Sequence, residues 1–348
     1  MNRRSFNKVL ATSIGSIALN SRVAAMEEDQ PKKSRIKPKR LKTGDTIGLI
    51  SPSSSIPESR YLKAIGNIES MGFKVKIGKF ALQRNGYLAG TDDERLDDLH
   101  CMFEDESVNG IWCLRGGYGA TRILDKINYR LIRNNPKVFI GYSDVTALLQ
   151  AFQLKCGLVC FHGPVANSEY SPYTLEHVRN ILMNPTDTYT ITGHPENYEG
   201  QTRPGFFSDV ITGGTARGVL TGGNLSLIAA MTGTDYEWET KNKLLFLEDL
   251  EEKPYRIDRM LTQLRLTGEL QRGSGLMLGI FDKCQPGSSD ESLSLIDMFK
   301  DRLADLNIPT LYGMSFGHIT NQFTIPLGIE AELNTEQNTL TLLESAVE

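Results

Sequence analysis

Residues 137–150 read KVFIGYSDVTALLQ, and the two halves of this stretch follow different periods. Val138, Phe139 and Ile140 form an apolar run long enough only for a buried strand. Gly141 breaks the run. From Val145 the apolar residues Val145, Leu148, Leu149 and Phe152 recur at the spacing of one helix face. A strand that becomes a helix within a few residues is the repeating unit of an α/β fold. Ser143 sits on the turn and Asp144 at the mouth of the helix. Such a turn holds a hydroxyl clear of a sheet and aims backbone N–H groups at an oxyanion. Ser and Asp also cap helices, and GYSD departs from the GxSxG elbow, so the turn alone leaves both roles open.

The same alternation extends outward on the N-terminal side. Residues 46–50 are a buried-strand run ending in Ser51-Pro52-Ser53-Ser54-Ser55, and Pro57 opens a helix with Leu62, Ile65, Ile68 and Met71 on one face. Phe73, Val75 and Ile77 alternate as a strand. Thr91 and Glu94 form a capping box before Leu96, Leu99, Met102 and Phe103. A strand at 111–114 leads into RGGYG at 115–119, and a further strand is expected at 158–161. This pattern predicts a parallel sheet with helices on both faces. In such sheets, sites gather outside the C-terminal strand ends, here the loops 51–55, 115–119 and 141–144. The first lacks GxGxxG, which argues against a dinucleotide cofactor. In the second, glycines permit close backbone approach and Arg115 suits a carboxylate; a plain tight turn reads equally well.

The C-terminal side is less regular. Residues 168–205, polar and carrying Pro172, Pro185, Pro195 and Pro204, read as a linker with one helix near 175–182. Beyond it come Gly222-Gly223-Asn224, a short helix at 225–231, and an apolar strand at 244–247 that delivers Glu248 and Asp249. A helix at 254–266, a strand at 276–280, the run FGH at 316–318 and a hairpin of 329–333 with 339–343 complete it. The expected architecture is therefore an N-terminal α/β domain at 43–167 and a smaller, β-rich C-terminal domain at 206–348.

The first 25 residues stand apart. Arg3 and Arg4, an uncharged run at 9–20 and Val23-Ala24-Ala25 are similar to a twin-arginine export signal, with a core too short to span a membrane. They predict a periplasmic protein with no stable membrane insertion after cleavage, or a cytoplasmic one if the signal does not function. Residues 26–42, with seven Lys and Arg from Lys32 to Lys42, read as a solvated basic tether. The whole chain carries net charge −4, with 40% hydrophobic and 23% charged residues, and has no nucleic-acid footprint. Its five cysteines include no CxxC pair, its five histidines are scattered, and no metal-ligand cluster emerges.

A serine nucleophile needs a base and an acid to orient that base. His100, His177 and His194 read as surface residues, whereas His162 and His318 both follow strands and both remain open as the base. Glu248, at a strand end, suits the acid, although an ordinary solvent-facing carboxylate reads as well.

Taken together, RGGYG at 115–119, GYSD at 141–144, FHGP at 161–164, GGNL at 222–225, LFLEDLEEKPYRIDRML at 245–261 and FGH at 316–318 resemble the LD-carboxypeptidase family. These serine peptidases include murein tetrapeptide carboxypeptidases and microcin-immunity peptidases. The resemblance spans residues 41–343 and implies a Ser, Glu and His set of Ser143, Glu248 and His318. It further implies an oxyanion hole from the N–H groups of Asp144 and Gly117, a cleft between two domains, a homodimer, and no cofactor or metal. The implied reaction releases a C-terminal D-alanine from a muropeptide. A microcin-immunity-like peptidase and a catalytically inactive exported binding protein are the alternatives. Arg115 and Asn224 are the candidates for substrate binding. The export signal departs from the murein-recycling members, which work in the cytoplasm.

Overall fold

The computed structural model describes residues 34–200, 203–287 and 291–348. The expected signal at 1–25 and the first part of the tether lie outside the described residues. Five strands are β1 Thr46–Ile50, β2 Lys74–Ile77, β3 Gly110–Cys113, β4 Val138–Gly141 and β5 Cys160–His162. They pair in parallel in the order β2-β1-β3-β4-β5. Helices α1 Glu58–Ser70, α2 Asp92–Glu104, α3 Tyr129–Asn134 and α4 Thr146–Cys156 alternate with them, and α1, α2 and α4 lie where the periodicity predicts.

After α5 Pro172–Leu182 come β6 Tyr189–Thr192, β7 Asp209–Thr212, β8 Thr215–Asn224, α6 Leu225–Met231, β9 Lys243–Glu248, α7 Pro254–Leu266 and β10 Gly275–Ile280. The chain continues through α8 Leu295–Leu303, β11 Thr310–Gly317, β12 Ile325–Leu327, β13 Glu330–Asn334 and β14 Thr339–Leu342. Eight of these strands build a second sheet in the order β6-β14-β13-β8-β9-β10-β11-β7. It is the larger of the two, against the expectation of a smaller partner. Its central strands β8, β9, β10 and β11 are parallel and its flanks antiparallel, so the β-rich half keeps an α/β centre.

Two strands interleave the halves. β12, late in the chain, pairs antiparallel with β5 and closes the edge of the first sheet. β6, inside the segment expected as a linker, pairs with β14 at the edge of the second. Residues 168–205 are thus largely packed, and Arg35–Glu348 forms one compact unit. The basic stretch is likewise pinned from residue 35 onward. Ile36 bridges Leu158, Leu41 is buried, and Arg35 and Lys37 pair with Glu344.

α4 is the keystone of this packing. Eight of its eleven residues are buried, Phe152 meets Phe139 edge-on at 5.0 Å, and Gly157 ends the helix at φ 70°. Truncating so well-packed a phenylalanine costs about 3–5 kcal/mol. Gln150 and Gln153 donate to the carbonyls of Gly222 and Leu220 at 2.6 and 3.1 Å, tying the helix to β8. No helix among the described residues is long and apolar enough to cross a membrane.

Candidate active site

β4 ends at Gly141 and the chain reverses at once. Tyr142 is extended, and Ser143 takes φ 63°, a left-handed conformation that non-glycine residues seldom adopt. Strain of this kind is of order 1–3 kcal/mol and persists where the surroundings over-determine it. Ser143 opens a 3-10 turn, Ser143–Val145, and caps neither that turn nor α4. The capping role is therefore absent, and the partly exposed hydroxyl stands at the sheet edge.

The loop after β3 closes over this turn. A Cβ on Gly116 would lie 2.8 Å from Ser143 Cβ and 3.3 Å from the Asp144 nitrogen, so only glycine lets the two loops meet. Gly117 has φ 111°, and a Cβ there would overlap Ser54. Ser54 Oγ accepts from the Tyr118 N–H at 3.0 Å, and the Asp144 carboxylate accepts from the Ala120 N–H at 2.8 Å. The three loops thus form one cluster where the strand order reverses, between β1 and β3. The backbone N–H groups of Asp144 and Gly117 have no acceptor among the described residues. Arg115 donates to the Ser55 carbonyl at 3.0 Å and meets no carboxylate among the described residues. Burial, and then the nearby Arg60, hold its pKa below the ordinary value.

Glu248 and His318, the expected acid and base, arrive from the second sheet. β8 and β9 run in register, so Asn224 lies beside Glu248. Glu248 is fully buried, and its Oε2 accepts from His318 Nδ1 at 2.7 Å. Burial raises the pKa of this acid, but the His318 charge and hydrogen bond outweigh that and hold it below its usual range. Burial also pulls the imidazole down, and Glu248 more than reverses the effect, so His318 titrates above its ordinary value.

These parts close into a ring of contacts. One turn past Ser143, Thr146 Oγ1 accepts from the Asn224 N–H at 3.0 Å. Asn224 Nδ2 donates to Glu248 at 3.3 Å, Glu248 holds His318, and the His318 ring meets Tyr142 edge-on at 4.7 Å. Tyr142 leads back to Ser143. No hydrogen bond joins Ser143 to His318 among the described residues; the ring of contacts links the two segments that carry them.

Asn224 is otherwise committed. Its amide also donates to Asp249 at 3.1 Å, and its oxygen accepts from the Leu227 N–H at the start of α6. At 4% exposure it is committed to the two carboxylates and to the cap of α6. Asp249 is pushed up to about 6 by burial and by the Glu248 charge. His162, the other candidate base, is fully buried among Tyr142, Phe246 and Phe316 with neither ring nitrogen bonded. Burial keeps it from solvent and pushes its pKa down to about 4. His177, expected at the surface, is buried and bonded to the Tyr189 hydroxyl at 2.7 Å. Gly116, Tyr142 and Thr146 were not legible as site residues, although all three lie within or beside the motifs. Among the described residues no cluster of His, Cys, Asp and Glu is arranged to hold a metal.

Comparison with known proteins identifies the family. Residues 47–163 match the LD-carboxypeptidase N-terminal domain and residues 217–333 its C-terminal domain. The chain is 39% identical over 311 residues to a probable murein peptide carboxypeptidase of Bacillus subtilis, covering 88% of this chain and 94% of that one. The structure of MccF in complex with glutamyl sulfamoyl guanosine superposes with TM-score 0.81 at 25% identity, covering 90% of this chain and 99% of that one. The muramoyltetrapeptide carboxypeptidase of Oxalobacter formigenes superposes with TM-score 0.73 at 29% identity, covering 85% and 97%. With two sheets, a serine turn and a buried acid–histidine pair in the matched segments, the chain belongs to the LD-carboxypeptidase family of serine-type carboxypeptidases.

Proposed function

We propose that the chain hydrolyses the amide between an L-configured centre and a terminal D-residue, releasing D-alanine from a murein tetrapeptide through an acyl-enzyme. The observation that carries the reading is the 2.7 Å bond from His318 Nδ1 to the buried Glu248, linked through Tyr142 to the strained Ser143 turn. Because Nδ1 gives its hydrogen to Glu248, Nε2 is left to accept the Ser143 proton as Oγ attacks the carbonyl carbon. The N–H groups of Asp144 and Gly117 take the oxyanion, each worth roughly 3–4 kcal/mol by analogy with measured donors. The amide C–N bond breaks as His318 returns the proton to the leaving amine. Water, deprotonated by His318, then cleaves the ester and restores Ser143.

Arg115, which meets no carboxylate among the described residues and opens the loop that would hold the oxyanion, takes the terminal carboxylate of the substrate. The N-terminal segment directs export by the twin-arginine route; Arg3→Lys with Arg4→Lys would then retain the protein in the cytoplasm, and unchanged periplasmic fractionation would count against that route.

The test is incubation of purified protein with a disaccharide tetrapeptide while D-alanine release is followed. Release supports the reading. Inertness toward the tetrapeptide with cleavage of an aminoacyl sulfamoyl adenylate would favour the second reading, a microcin-immunity-like peptidase, to which the likeness to MccF lends support.

A further inference from the structure

Two tyrosines stand on the lip of the site without a role in the chemistry above. Tyr87 is 66% exposed and Tyr118 49%, and their rings meet edge-to-face at 5.5 Å. Tyr118 belongs to the RGGYG loop, two residues beyond the glycine that touches Ser143. Tyr87 occupies a tight turn closed by reciprocal bonds between Asn85 and Leu88 at 2.9 and 3.0 Å.

The floor beneath this pair is rigid. Leu88 is buried against Gly119, where a Cβ would lie 2.5 Å from it. The fully buried Arg95 guanidinium donates to the carbonyls of Pro52 and Gly119 and pairs with Asp92 at 2.5 Å. Ser54 holds the Tyr118 N–H. The backbone that carries both rings is therefore anchored, the rings brace each other, and most of Tyr87 is left in water. A pre-organised aromatic surface of this kind binds with little loss of side-chain freedom.

We infer that Tyr87 and Tyr118 form a stacking platform for a pyranose ring at the amino-terminal, glycan-bearing end of the substrate, an inference that rests on the proposed muropeptide reading. A sugar offers a C–H face to an aromatic ring and hydroxyls to a polar rim, here the exposed Arg84, Asn85 and Arg122. The spacing also fits. Three acyl residues of an extended tetrapeptide reach roughly 10 Å from the scissile bond. Two loop residues beyond the Ser143 contact reach up to roughly 7 Å before the length of a tyrosine side chain is added.

The experiment measures binding, so it does not depend on turnover. In a Ser143→Ala background, calorimetry gives Kd for a disaccharide tetrapeptide and for the same tetrapeptide without sugar. The platform predicts at least about five-fold tighter binding of the sugar-bearing form. Tyr87→Ala brings the ratio near one, and Tyr87→Phe keeps it. Equal affinity for the two peptides, no binding of the sugar-bearing one, or a preference that survives Tyr87→Ala overturns the inference. Loss of affinity for an aminoacyl sulfamoyl adenylate alone would assign the rings to a nucleobase and overturn it as well. Absence of D-alanine release by the unmodified protein would overturn the peptidase reading while leaving this ratio measurable.

Discussion

Glu248→Gln separates electrostatics from shape at the acid. The side chain is fully buried and in hydrogen-bond contact with both His318 and Asn224, so glutamine fits the same space. What it removes is the negative charge facing the imidazolium that the proposed attack by Ser143 would form. With charge centres about 4 Å apart and an effective dielectric of about 20, that interaction is worth about 4 kcal/mol. Losing it lowers kcat/KM by about a thousand-fold. The pH profile carries a second signature. Glu248 is the main group lifting His318 above its ordinary 6.5, and without it only the weaker pull of Asp249 and Asp282 opposes burial. The acidic limb of kcat/KM should therefore move to lower pH in the variant, while the plateau drops.

Stability follows the same pair. The raised His318 value means that its pairing contributes fully below 6.5 and is lost as pH rises through the folded-state pKa. Thermal melts should thus separate variant from parent most near pH 6 and least in alkali. A Glu248→Gln enzyme with an unmoved acidic limb and activity within ten-fold of the parent would refute the assignment of Glu248 as the orienting acid.

His318→Ala should remove nearly all turnover, whereas His162→Phe, which replaces an unbonded ring by an apolar one in an aromatic box, should keep kcat/KM within a few-fold and raise the melting temperature; the reverse pattern would exchange their roles. Arg115→Ala should lose at least about ten-fold in kcat/KM, or about 1.4 kcal/mol, on a free-acid substrate and little on its C-terminal amide. Equal losses on both would make Arg115 part of the scaffold. Gly116→Ala forces a methyl to 2.8 Å from Ser143 Cβ, so kcat should fall by at least about a hundred-fold through misplacement of the nucleophile, with the melting temperature reporting any wider damage.

The change of period around Gly141 exposed the Ser143 turn because a buried strand and an amphipathic start to α4 leave different marks in sequence. The acid and the base left weaker marks. Glu248 stands beside three other acids, and His162 and His318 both follow strands, so only the motif resemblance chose between them. The choice is physical in three dimensions: one ring lies in an apolar box and the other on a carboxylate. Edge strands were also hard to read. β6 buries only Ile191 of its four residues, and β12 carries Pro326, which an edge tolerates but which reads as a strand breaker. The pinning of residues 35–42 rests on Ile36 and Leu41 among many cations, too few apolar positions to outweigh the charge pattern. Asn224 looked free because its polar partners, Glu248 and Asp249, lie a whole strand away in sequence.

The central claim is that Ser143 carries the acyl group, and rapid-quench mass spectrometry tests it most directly. Acid-quenched mixtures of enzyme and tetrapeptide, digested and mapped, should show the peptide containing Ser143 heavier by the acyl tripeptide, with D-alanine already released in equal amount. Ser143→Ala should show neither. D-alanine release that persists in Ser143→Ala, or an adduct on any other residue, would contradict the account.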